Sequence, residues 1–143
     1  MSAKRTEATV LVVDDEADVR AFERRVLEGV GYGVLEARNG ADAIDRMAGA
    51  ARVDLVVADL QMPEVSGAEM VRRIRLTRPD MPVLYVTGRI DGLMDDRSLW
   101  EGEAFLEKPF TVAGLREAVS LLLYGTLVTR GTDSLPPEAS ARL

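Results

Sequence analysis

Three aspartates, a threonine and a lysine stand out in this sequence, because each sits just beyond a short apolar run. Asp14 and Asp15 follow Val10-Leu11-Val12-Val13, and Asp59 follows Leu55-Val56-Val57-Ala58. Thr87 follows Val83-Leu84-Tyr85-Val86, and Lys108, with Pro109 behind it, follows Ala104-Phe105-Leu106-Glu107. In open α/β sheets, ligands bind beyond the carboxyl ends of the strands, where residues distant in sequence converge. Three carboxylates at about 4–5 Å and an effective dielectric of about 20 repel by roughly 3–4 kcal/mol per pair before screening. A divalent cation relieves that repulsion. All-oxygen ligands favour Mg²⁺, or Mn²⁺, over zinc. Lys108 is a point-charge partner for phosphate, and Thr87 can donate a hydrogen bond to a phosphoryl oxygen. The set reads as a phosphoryl-transfer site in which positioning and charge neutralisation carry the catalysis. A carboxylate nucleophile there, Asp59, gives an aspartyl phosphate.

Composition narrows the alternatives. A length of 143 residues suits one domain with one core. With no cysteine and no histidine, disulfides, zinc–thiolate sites, Ser-His-Asp catalysis and a phosphohistidine of its own are excluded. A net charge of −6 offers no basic stripe for nucleic acid. Residues 1–8 form a polar extension too short for a signal-peptide core, and no apolar run is long enough to span a membrane. A cytoplasmic location is the expectation.

The site residues need elements to hold them. The apolar runs are continuous, as in strands covered on both faces. Gly33–Ala37 and Ala104–Glu107 are weaker strand candidates. Helical spacing marks Ala17 to Val30, with Val19, Phe22, Val26, Leu27 and Val30 on one face and Gly31 as the terminating glycine. Further helices are predicted at Ala41–Ala48, Ala68–Leu76 and Val112–Leu123, the last capped by Thr111. Between Gly88 and Gly102 the pattern weakens, though Ile90, Leu93, Met94, Leu99 and Trp100 give a helix there something to bury. Arg20, Glu23, Arg24, Arg25 and Glu28 read as a solvated face of the first helix. Strand–helix alternation with short connections predicts a doubly wound α/β fold, its five-stranded parallel sheet covered by helices on both faces. The polar stretch 125–143 is expected to be a flexible tail.

Four runs then carry a resemblance: Val12-Val13-Asp14-Asp15-Glu16, Asp59-Leu60-Gln61-Met62-Pro63-Glu64-Val65-Ser66-Gly67, Val86-Thr87-Gly88 and Glu107-Lys108-Pro109-Phe110. Together they resemble the receiver domain of two-component response regulators over residues 9–124. The resemblance implies a flavodoxin-like strand order 2-1-3-4-5. It implies that Asp59 accepts phosphoryl from a histidine kinase or a phosphotransfer histidine protein. It also implies that Asp15, Asp59 and the backbone carbonyl of Gln61 bind Mg²⁺, with Asp14 acting through water. Lys108 would bridge to the phosphoryl group, Thr87 would follow it inward, Phe105 would turn with Thr87 as the aromatic switch, and Lys108–Pro109 would be cis. Phe105 lacks the hydroxyl of a tyrosine. The resemblance also implies that Gln61 and Arg89 occupy the positions that tune phosphoryl lifetime in the family.

Less specific readings compete at each residue. Asp14 and Asp15 could merely cap a helix, Phe105 could be plain core, and Leu99 and Trp100 could be core or partner surface. Three functions follow. One is a stand-alone phosphoacceptor switch, an enzyme only toward itself, acting on a downstream protein as a monomer or a phosphorylation-dependent dimer. A phosphorelay intermediate or the receiver of a hybrid histidine kinase is its variant. The second is a receiver-like scaffold independent of phosphate. The third, an aspartyl-phosphate hydrolase, would need an acid two residues after the nucleophile, where Gln61 stands.

Overall fold

The computed structural model describes residues 8–50, 52–62, 64–88 and 103–125. Five strands run β1 Thr9–Val13, β2 Gly33–Ala37, β3 Leu55–Asp59, β4 Val83–Thr87 and β5 Glu103–Glu107. Four helices lie among the described residues: α1 Ala17–Gly29, α2 Gly40–Gly49, α3 Gly67–Arg75 and α4 Val112–Tyr124. The helix expected within 88–102, with its apolar residues and Arg89, lies outside the described residues, as do Pro63 and the tail beyond Gly125.

All strand pairs are parallel and the order is β2-β1-β3-β4-β5, the expected doubly wound arrangement. The continuous apolar runs have the predicted cause, since β3 and β4 are buried along their whole length. Alternate residues feed two cores. Val10, Val12, Leu55, Val57, Leu84 and Val86 pack in the cluster that includes Leu27 of α1 and Leu115 and Val119 of α4. Leu11, Val13, Val56, Ala58 and Tyr85 pack in the opposite cluster with Met47 of α2 and Met70 and Ile74 of α3.

Helix ends follow the local chemistry. Gly31 has φ +101° beyond the end of α1, and the N–H groups of Gly31 and Tyr32 donate to the carbonyls of Glu28 and Leu27. Thr111 accepts from Gly114 N–H at 2.9 Å, as its spacing predicted. Asn39 and Ser66 cap α2 and α3 in the same way, accepting from Asp42 and Glu69.

Two side chains depart from the expected faces. Val30 is 43% exposed, because it is the C-cap of α1 and no longer follows the helical stripe. Glu23 is not solvated but 1% exposed. It lies three and four residues before Val26 and Leu27, on the inward face. A buried ion pair also escaped the sequence reading. Arg75 at the end of α3 donates to Glu103 of β5 at 2.7 Å and to the Met81 carbonyl.

Gly67 sets how close α3 comes to β3. A Cβ built there would lie 2.5 Å from the Asp59 carbonyl oxygen and 2.9 Å from Leu60 Cα. Both are backbone atoms, so the crowding has no flexible side chain to absorb it. Gly67→Ala is therefore expected to lower stability by about 1–3 kcal/mol, read from urea unfolding. An unchanged midpoint would show that the β3–α3 connection yields freely.

Candidate functional site

The site forms where β1, β3, β4 and β5 end together. Asp59 and Thr87 prove to be the last residues of β3 and β4, not loop residues after them. Register places Asp59 beside Val86, and Thr87 beside Glu107. Backbone bonds tie the strand ends across the sheet. Leu60 N–H donates to the Val86 carbonyl at 3.2 Å, and Lys108 N–H donates to the Thr87 carbonyl at 2.7 Å.

Carboxylate oxygens of Asp14, Asp15 and Asp59 lie within 4.8 Å of one another. Asp14 is fully buried, Asp59 is 7% exposed and Asp15 faces solvent. Lys108 reaches in from the β5–α4 turn, with its Nζ 3.2 Å from Asp14 Oδ2 and 3.6 Å from Asp59 Oδ2. The remaining oxygens of the two buried aspartates take backbone donors. Glu16 N–H donates to Asp14 Oδ1 at 2.9 Å, and Gln61 N–H donates to Asp59 Oδ1 at 3.1 Å. Gln61 thereby has its backbone beside the Asp59 carboxylate, while its side chain is exposed. Capping does not account for the aspartate pair, because Glu16 is the N-cap of α1 and its side chain makes no capping bond.

The charges press on one another. Burial pushes the Asp59 carboxyl above the ordinary aspartate range, the Gln61 N–H and Lys108 pull it down, and Asp14 and Asp15 push it up; the net direction is upward. Burial pulls Lys108 down, yet Asp14 and Asp59 outweigh it and hold the ammonium above the ordinary lysine value. A donor set of clustered carboxylate oxygens, one of them exposed at the mouth, fits a hard divalent cation.

Thr87 is fully buried at the rim. Phe105 is 3% exposed, with its ring 5.4 Å from that of Tyr85, so it already lies inward. The Lys108–Pro109 peptide is cis, as expected. Beside the acidic pocket a groove of about 460 Å³ opens between α1 and the β5–α4 turn, lined by Asp18, Val19, Phe22, Lys108, Pro109 and Phe110. Phe22 and Phe110 face each other there at 5.7 Å between centroids. Sequence reading missed this groove, because its two walls are almost 90 residues apart and neither motif points to the other.

Comparison with known proteins agrees with this architecture. Residues 10–120 match the model of the response regulator receiver domain, so the chain belongs to that family. It is 38% identical over 127 residues to the response regulator MprA of Mycobacterium sp. (strain KMS), covering 87% of this chain and 54% of that protein. The chain thus spans about half the length of that curated relative. It is 36% identical over 118 residues to the sensor kinase CckA of Brucella abortus, covering 81% of this chain and 12% of the kinase. Among solved structures it resembles the response regulator TrrA of Thermotoga maritima in complex with Mg²⁺ and beryllofluoride, at 32% identity and a TM-score of 0.73, covering 82% of this chain and all of that one. No helix among the described residues is long and apolar enough to cross a membrane.

A stability prediction follows from the Asp59 environment. Its folded-state pKa lies above the unfolded value, so ionised Asp59 lowers stability once pH rises past the ordinary aspartate range. In EDTA at pH 7, Asp59→Asn is expected to melt above wild type, with the gap closing toward pH 4. A gap that does not change with pH would show that the carboxylate is unstrained. Saturating Mg²⁺ should raise the wild-type melting temperature and shift Asp59→Asn much less.

Proposed function

We propose that the protein is a phosphoacceptor switch that takes a phosphoryl group onto Asp59 from the phosphohistidine of a sensor histidine kinase or a phosphotransfer histidine protein. The observation that carries this reading is the convergence of Asp14, Asp15 and Asp59 around the Lys108 ammonium at the carboxyl edge of the sheet. Membership of the receiver family and similarity to a regulator solved with Mg²⁺ and a phosphoryl mimic support it.

In the reaction an Asp59 carboxylate oxygen attacks phosphorus, the P–N bond to the donor imidazole breaks with its electron pair going to nitrogen, and a proton taken up from solvent by the ring lets it leave as neutral imidazole. The Gln61 N–H holds Asp59 Oδ1, which fixes the plane of the nucleophile. Lys108 already lies between Asp14 and Asp59 and would follow the incoming negative charge. Thr87 would donate its hydroxyl proton to a phosphoryl oxygen. Asp15, Asp59 and the Gln61 carbonyl would hold Mg²⁺ directly, with Asp14 acting through water. Bound there, Mg²⁺ would neutralise charge developing on the phosphoryl oxygens. The apolar groove with Phe22 and Phe110 offers the donor protein a seat beside the acidic pocket.

The output is a change of surface read by a downstream protein. Thr87 would move toward the new phosphoryl group, while Phe105, already buried against Tyr85, has no inward turn left to make. The chain is an enzyme only toward itself, catalysing its own phosphorylation and dephosphorylation in the cytoplasm, as a monomer or a phosphorylation-dependent dimer. Similarity to a sensor kinase favours a second reading, in which the domain relays phosphoryl within a phosphorelay.

Acetyl phosphate with Mg²⁺ tests the central claim. Intact mass should show one phosphoryl adduct on wild type, none on Asp59→Asn, and an adduct at least tenfold slower to form on Lys108→Ala. An undiminished adduct on Asp59→Asn would sink the proposal.

A further inference from the structure

The β2 edge of the sheet is open. β2 ends the strand order, and among the described residues only β1 pairs with it. Gly33 N–H donates to the Ala8 carbonyl, and the Ala37 carbonyl accepts from Asp14 N–H. In a parallel ladder a residue turns both backbone groups to one neighbour, and the next residue turns them the other way. Gly33, Leu35 and Ala37 therefore face β1, while the N–H and C=O groups of Val34 and Glu36 point outward. No backbone hydrogen bond among the described residues takes up these outward groups.

A cleft of about 550 Å³ lies along this edge, with β2 as its floor, α1 on one bank and α2 on the other. Its charge is one-sided. Four arginines line it against the carboxylates of Glu36 and Asp42, although the whole chain carries −6. Arg20 and Arg24 of α1 are held on Glu36 at 3.1 and 2.7 Å. Arg46 of α2 stands 3.6 Å from one Asp42 oxygen, and the other oxygen accepts the Arg38 N–H. The Arg38 side chain is exposed and has no ion pair among the described residues. Edge strands are commonly blunted by a proline, a bulge, a covering loop or charge. β2 has no proline and keeps unbroken register with β1 over all five residues. Among the described residues charge alone guards it, and a guard of one sign admits a strand of the opposite sign. A second β2 would bring the same arginines face to face, so charge opposes self-pairing. A small anion would use the guanidinium groups but leave the backbone groups of Val34 and Glu36 unmatched.

We propose that the β2 edge is a docking site for an acidic, extended segment of a partner protein, which adds to the sheet as a further strand. Main-chain hydrogen bonds to Val34 and Glu36 supply the pairing, as in other strand additions. Carboxylates of the segment lie against Arg38 and Arg46, whose charge is the least committed in the cleft, and make charge-assisted hydrogen bonds there. Arg20 and Arg24, already fixed on Glu36, form the positive wall on the α1 side. The docking site does not depend on the phosphoryl chemistry of Asp59.

Fluorescence anisotropy with the whole protein tests it, the probe being a labelled peptide of about ten alternating glutamate and threonine residues. Wild type should bind the peptide saturably. The double variant Arg38→Glu/Arg46→Glu should bind about tenfold more weakly or worse, and so should wild type toward a peptide N-methylated at every second residue, which cannot complete the strand pairing. Raising NaCl from about 50 to about 300 mM should weaken binding, because the charges are exposed. Amide hydrogen exchange read by NMR needs no variant. Peptide should slow exchange at Val34 and Glu36 by about tenfold or more and leave Leu35, already bonded to β1, nearly unchanged. Absence of binding to wild type would show that the arginines only guard the edge, and would overturn the proposal. Equal binding by the double variant, indifference to N-methylation, or unchanged exchange at Val34 and Glu36 would each do the same. Inorganic pyrophosphate bound more tightly than the peptide at these residues would make the cleft a small-anion site instead. Concentration-dependent dimerisation that protects the same amides would make it a self-pairing edge, and either result overturns docking of an acidic segment.

Discussion

Like charges crowded at the end of a dry sheet are the constraint on which this structure depends. Asp14 and Asp59 are nearly inaccessible to water, yet their carboxylates stand within reach of each other and of Asp15. Repulsion of this size persists only if the surrounding fold over-determines it. Lys108 offsets part of it through contacts of 3.2 and 3.6 Å, and the N–H groups of Glu16 and Gln61 take up the oxygens it leaves. What remains is an acidic pocket with its counter-charge, the Lys108 ammonium, already in place.

The scaffold explains how that strain is tolerated. Strands β3 and β4 are buried end to end, with one apolar cluster on each face. Asp59 and Thr87 are the terminal residues of these strands, so the ladder sets their backbone positions. The Leu60–Val86 and Lys108–Thr87 backbone bonds extend the tie past the last ladder residues. Gly67 lets α3 start almost in contact with the Asp59 carbonyl, which closes the floor of the pocket on one side. On the other side α1 and α4 cover the sheet, and Glu23 of α1 is buried there.

Two kinds of buried acid thus coexist in the domain. Glu103 is an ordinary structural case, paired with the Arg75 guanidinium at 2.7 Å. Glu23 lacks any such partner, and burial together with the aspartates drives it to neutrality. The contrast arises from position. Glu103 lies at the start of β5, where a long side chain from α3 can reach it, whereas the arginines nearest Glu23 on its own helix are drawn outward by Glu36.

Much of the domain was legible in the residues alone. Continuous apolar runs identified β1, β3 and β4, with β2 and β5 as weaker candidates, and the side chains at the carboxyl ends identified the pocket, because a parallel sheet must bring those ends to one edge. Local chemistry also read directly at Gly31 and Thr111, where a few neighbouring atoms decide the outcome. Other features needed the assembled fold. Glu23 carries a charge and sits among charged neighbours, so composition argued for solvent; only the packing of α1 against the sheet put it inside. The Arg75–Glu103 pair and the Phe22–Phe110 groove join residues 28 and 88 positions apart, a separation across which sequence periodicity carries no information. Periodicity reports which face of an element turns inward, while the partner found there is decided by topology and side-chain reach.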